Sequence, residues 1–325
     1  MASTSVVTRL APSLLAVWML AAPASAQESI SLRFAWPVEN GRVTMRSSTV
    51  IEAQGMSNET SAEMSYAIEV EETADGLVLR YADYDFGDGT GVAMPFGDAA
   101  DPELAERLTQ LIQSANADIV VSHEGSFAGL APDNSLDRMM ATVDSINGEI
   151  MGALDTPQMQ EMRSRLSDSA TWEQQARIAW ESLVEQWRGD WVVGEPRRRG
   201  TIYPLPFETE PVEIENELVV ESLEGCRGAE GRCAAVVART VSTRAAEQAM
   251  RSAIESMVES AGGGMSVEIV DLTLDVETYT LLHVGTMRPI AQESIITMSQ
   301  VVAMMGTEVA SSTVQTIDLT WDWGN

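Results

Sequence analysis

Chemistry in this chain has few carriers: two histidines, His123 and His283, and two cysteines, Cys226 and Cys233, among 325 residues. All 20 basic residues are arginines, which excludes a Schiff-base, P-loop or kinase-type lysine. In His123-Glu124-Gly125-Ser126 glycine directly precedes serine. A hydrolase elbow needs glycine two residues before its nucleophile to make the tight strand-to-helix turn. With two imidazoles on offer, a Ser-His-Asp triad has few ways to assemble. Asp83, Asp85 and Asp88, interleaved with glycines, look like ligands for calcium. The fifth position of that run is Gly87 and the twelfth Met94, so EF-hand spacing fails. A solvated acidic loop over residues 83–89 is expected, with no metal. The 49 acidic residues always supply carboxylate pairs, so no one pair points to glycoside cleavage.

Other residue types suit binding better than bond-breaking. Trp172, Trp180, Trp187 and Trp191 share a narrow arc if one helix carries them all, and could line an apolar pocket or simply pack that helix on a sheet. There are 18 Met but only 5 Phe and 5 Tyr. Met139, Met140, Met250 and Met257, with Ile254, fall on apolar helix faces, and flexible thioethers suit a surface that accepts ligands of varied shape. These residues and Trp180 are the candidate ligand-binding set. Arg197, Arg198 and Arg199 could hold an anion, but in so acidic a chain they are expected to neutralise their own neighbours.

The formal net charge of −29 would repel a phosphate backbone, so no nucleic-acid partner is expected. With few His and Cys, zinc sites are hard to build, and no cofactor is expected. Residues 1–26 read as a signal peptide: Arg9, an apolar run over residues 10–22, then Ala24-Ser25-Ala26. The run falls short of the ~20 apolar residues that span a bilayer. Cleavage after Ala26 leaves Gln27 first, with no cysteine there to carry a lipid and no later transmembrane segment. The expected location is periplasmic or secreted. In such an oxidising compartment Cys226 and Cys233, flanking a Gly-rich turn, can bridge the neck of a hairpin.

The elements follow from periodicity. Residues 30–36 alternate as a half-buried strand, residues 42–53 form a looser one, and residues 61–71 and 77–81 form a hairpin through Ala74-Asp75-Gly76. These four should make a meander with one continuous apolar face and one acidic face. Helices are expected over residues 101–112, 136–150, 157–166 and 169–187, with a short hairpin turning at residues 123–125. Residues 212–223 should pair with residues 232–241, and a helix should cover residues 243–261. A strand over residues 270–276 then turns at residues 275–278 into a long strand to residue 302, and residues 309–323 close the chain.

The expected class is α+β: long antiparallel β-meanders forming a curved sheet or half-barrel, a central helical insertion, and one further helix packed on it. Residues 27–325 form one domain, with a β-meander over 27–96, a mainly helical insertion over 97–195, and strands with one helix over 196–325. The run from Leu272 to Thr278, a long strand, a Met305-Gly306 turn and another long strand are similar to the β-meanders of exported bacterial proteins of the lipoprotein-carrier type. That resemblance spans residues 27–95 and 200–323. It implies an incomplete barrel wrapped around helices and no particular site residue. The functional expectation is a non-enzymatic exported protein holding a lipid or other apolar ligand between sheet and helices. The alternative is a structural or interaction protein of the cell envelope, and a carboxylate hydrolase comes third.

Overall fold

Two antiparallel meanders, one from each half of the chain, meet edge to edge in the computed structural model. The structure describes residues 28–85, 118–131, 169–203, 212–226, 230–241, 247–248, 251–252, 267–304 and 307–324. The signal peptide read over residues 1–26, the helices read over residues 101–112, 136–150 and 157–166, and most of the helix read over residues 243–261 lie outside them. Strands β2 (Gly41–Ala53), β3 (Met56–Thr73), β4 (Gly76–Asp85), β5 (Ile119–Val121) and β6 (Phe127–Leu130) form the first meander. The second comprises β8 (Arg197–Tyr203), β9 (Val212–Gly225), β10 (Arg232–Val241), β11 (Val267–His283), β12 (Pro289–Met304) and β13 (Thr307–Asp322). Pairing of β13 with β2 joins them into one curved, open, 11-stranded sheet of order 6-5-4-3-2-13-12-11-10-9-8. The half-barrel class read from the sequence is the observed one.

Three expectations need correction. The strand around residue 30 is short, β1 (Ser29–Leu32), and stands outside the large sheet. It pairs with β7 (Gly189–Val192), so that Ile30 faces Trp191. The alternation itself is real, because Leu32, Phe34 and Trp36 are all buried. Second, helix α1 (Ser169–Leu183) stops before Trp187, which lies in a 3-10 turn (Glu185–Trp187), and Trp191 belongs to β7. Gly189, at φ 117°, takes a backbone conformation that no helix continues through. Third, residues 275–278 are the middle of β11, paired against residues 294–297, and not a turn. Their Asp-x-Glu pattern keeps the strand alternation: Glu277 faces away from the core and accepts from Arg239 Nε at 2.5 Å. The chain actually reverses over residues 284–288, where the Met287 N–H donates to the His283 carbonyl (2.7 Å) and Met287 is buried at φ 60°.

The core gathers at one end of the long strands. Val43, Ile68, Val70, Leu77, Leu79, Leu282, Trp321 and Trp323 pack with Trp180, Val184, Trp187 and Trp191 into one cluster. Beyond it the inner face is not uniformly apolar. Going outward from Val43, opposite Tyr66 and Trp321, the next inner row is Met45, Met64 and Leu319, and then Ser47, Ala62 and Ile317. Thr49, Thr60 and Gln315 follow. On β11 and β12, Thr278 and Ser294 share this face, with their hydroxyls 3.1 Å apart. The continuous apolar face expected from alternation is therefore interrupted on β2, β3 and β13, where threonine, β-branched like valine, fits a strand as readily, while Leu274, Val276, Ile296 and Met298 keep the same face of β11 and β12 apolar.

Cys226 and Cys233 form a disulfide at the mouth of the β9–β10 hairpin, with Cα atoms 5.0 Å apart. Replacing both by serine should lower stability by about 2–3 kcal/mol through the short closed loop, as read by urea unfolding of the oxidised proteins. A loss below about 0.5 kcal/mol, within the scatter of surface substitutions, would mean that the β9–β10 ladder holds its register unaided.

Candidate functional site

Helix α1 lies against the inner face near the core end of the sheet. Its inward stripe runs Trp172, Ala176, Trp180 and Leu183, the three- and four-residue spacing of one helix face, with the exposed Gln175 and Ala179 at the rim. Opposite stand Tyr66 of β3, Tyr81 of β4, Ile119 of β5, Gln292 of β12, and Leu319 and Trp321 of β13. A cavity of about 490 Å³ remains between the two walls. The small, half-buried Ala176 among large aromatic neighbours leaves that space open, since close-packed interiors otherwise fill such gaps. The volume falls in the range of roughly 300–1,000 Å³ usual for small-molecule pockets.

The helix wall is firmly docked. The Trp180 indole N–H donates to the Gly125 carbonyl at 2.9 Å, and its ring meets Phe34 and Trp36 at centroid distances of 5.8 and 5.4 Å. Gly125 is the glycine of the HEGS stretch, and its use is steric. At φ 85°, a Cβ there would come within 2.3 Å of the Phe34 ring. Around it the Phe127 N–H donates to Glu185 (3.2 Å), Arg188 donates to the Ser126 hydroxyl (2.6 Å), and Arg177 sits 4.8 Å above the Phe127 ring. Ser126 is thus held by an arginine, as part of the helix-to-hairpin contact.

On the sheet wall Tyr66 packs edge-on to Tyr81 at 5.9 Å and stacks with Tyr84 at 5.3 Å. Burial pushes both the Tyr66 and Tyr81 phenols well above the ordinary range, with neighbouring tyrosines and, for Tyr81, Asp118 adding to it. Both rings therefore stay neutral hydrogen-bonding groups. Among the described lining residues the polar groups are these phenols, Gln175, Gln292 and Ser182, together with the indoles. Two other hollows are lined differently. One of about 500 Å³ surrounds the β2–β3 tip, lined largely by serines, glutamines and carboxylates. One of about 530 Å³ lies against Glu221, Glu224, Glu293 and Asp318.

Of the sequence-predicted ligand residues, Trp180 lines the cavity, while Met139, Met140, Met250, Ile254 and Met257 lie outside the described residues. Trp172 also lines it, whereas Trp187 and Trp191 are buried in the core beside it. Asp83 and Asp85 belong to strand β4 and not to a loop, and Asp88 lies outside the described residues. No group of three His, Cys, Asp or Glu that could hold a metal occurs among the described residues. The triple arginine serves its own neighbours: Arg197 stacks on Trp191 at 4.3 Å, Arg198 pairs with Glu215 at 3.1 Å, and Arg199 with Glu181 at 3.8 Å. Sequence reasoning missed Tyr81, Ala176, Ala179 and Gln292. An alanine between tryptophans on one helix face was the signal available.

Among the described residues no helix is long and apolar enough to cross a membrane. No family model and no curated protein sequence matches the chain. A solved structure described as lipid–protein interactions in lipovitellin aligns with 89% of this chain and 26% of its own, at 10% identity and a TM-score of 0.38. This chain thus spans about a quarter of that one, and a likeness at this level establishes neither a shared fold nor a shared ligand.

Proposed function

We propose that the protein is an exported, non-enzymatic carrier that holds an apolar ligand between α1 and the inner face of the sheet, in an incomplete barrel of the lipoprotein-carrier type. One observation carries this reading: a cavity of about 490 Å³ walled by Trp172, Trp180, Trp321, Tyr66 and Tyr81. Aromatic walls with a few placed polar groups are the usual make-up of small-molecule sites. The Cys226–Cys233 disulfide supports an oxidising compartment. A structural or interaction role draws support from the aromatic core beside the cavity, where Trp36, Trp187 and Trp323 are all buried in one cluster.

The test is titration with a long-chain fluorescent lipid probe, followed through energy transfer from the tryptophans. Saturable binding is expected, and Ala176→Asp, at a half-buried position on the cavity wall, should weaken it at least tenfold while the melting temperature shows the fold intact. A carboxylate in an apolar cavity must stay charged without a partner or take up a proton, and either is unfavourable for an apolar guest. Absence of saturable binding, or binding indifferent to Ala176→Asp and to Leu319→Asp, would leave the structural role standing.

A further inference from the structure

Resting on the carrier reading, we infer that the cavity selects uncharged lipids, such as acylglycerols, long-chain alcohols or esters, over fatty acids and other anionic amphiphiles. The lining residues named above include no arginine, histidine, aspartate or glutamate among the described residues. Charges near the walls are already engaged elsewhere. Arg177 pairs with Glu173 and stacks on Phe127. Arg80 bridges Asp118 at 3.3 Å and Glu71 at 3.7 Å, and Glu185 accepts the Phe127 N–H.

A carboxylate or phosphate held between the walls would shed part of its hydration and find no countercharge among these groups. The field of a chain with formal charge −29 opposes its approach as well. A hydroxyl, ester or amide meets a better match. Gln292 places an amide on an inner-face position between Thr280 and Leu319, and Gln175 places a second on the helix. Each amide offers two donor hydrogens and one acceptor oxygen, and the two phenols remain neutral donors.

The experiment compares 1-oleoylglycerol with oleate at pH 8, both below their aggregation concentrations, on the full mature protein by quenching of tryptophan fluorescence. Oleoylglycerol should bind at least tenfold more tightly than oleate. Gln175→Arg, at an exposed helix position, should raise oleate affinity at least tenfold and leave oleoylglycerol within about threefold. Oleate binding the wild-type protein as tightly as oleoylglycerol overturns the selectivity while leaving the carrier reading in place. Binding of neither lipid overturns both. A Gln175→Arg protein that folds and gains nothing for oleate also overturns the electrostatic argument.

Discussion

Adding a single methyl group at Gly76 should destabilise the protein by about 3–5 kcal/mol, the sum of a backbone-strain cost and an overpacking cost. Gly76 opens β4 at φ 147°, and a Cβ there would lie 2.0 Å from the Val121 carbonyl oxygen and 2.9 Å from the Ser122 Cα. Both obstacles are backbone, so no rotamer change relieves them. The neighbouring pair, Leu77 opposite Val121, ties β4 to β5, and both residues belong to the core cluster. The methyl group fits only if β5 moves away. Gly55→Ala is the control: its φ is also positive, at 77°, but nothing lies within 4 Å of its Cβ, and a cost of about 1–2 kcal/mol from handedness alone is expected. Thermal melts should place Gly76→Ala roughly 6 °C or more below Gly55→Ala. Equal melting temperatures would show that the β4–β5 pairing yields without cost.

Trp180→Ala carries the other large effect, about 3–5 kcal/mol for truncating a buried tryptophan. Trp180 is 3% exposed and joins three parts of the molecule: α1, the Gly125 carbonyl, and the Phe34 and Trp36 rings that follow β1. Trp180→Phe keeps much of the ring and loses the indole N–H. It should cost less, with about 1–3 kcal/mol of the loss reflecting the Gly125 carbonyl left without its donor. Urea unfolding of the two variants separates packing from hydrogen bonding. A cost below about 1 kcal/mol for Trp180→Ala would mean that the helix is not anchored through this side chain.

Where local pattern and long-range packing agree, the fold was readable. The β9–β10 hairpin shows this, with its cysteine-flanked turn and alternating valines, as do the β2–β3 and β3–β4 hairpins and the 123–125 turn. Reading failed where the deciding partner is remote. Nothing in the Ser29–Leu32 stretch says that it pairs with Gly189–Val192, because β-pairing is a property of two segments and alternation of only one. The tryptophans misled for a related reason: Trp187 and Trp191 sit at helical spacing yet reach the core from a 3-10 turn and a strand. The candidate site was half legible. Trp180 stood out by size, but the cavity depends on the small Ala176, and an alanine in a helix reads first as a good helix former.

The β2–β13 seam has a consequence for how the protein is made. Arg42 pairs with Asp322 and Ala53 with Ser311, so residues near the start of the first meander wait for β13, the last of the described strands to be synthesised. Until then each meander presents an unpaired rim of N–H and C=O groups, of twelve residues on the β2 side. Zipping those rims together is a late and slow step, because so large a loop must close before any of its contacts form. During that interval the exposed rims are templates for the wrong partner. A nascent chain stalled before residue 307 should therefore associate through β2 or β12, and assembly on schedule protects this sheet as much as its finished stability does.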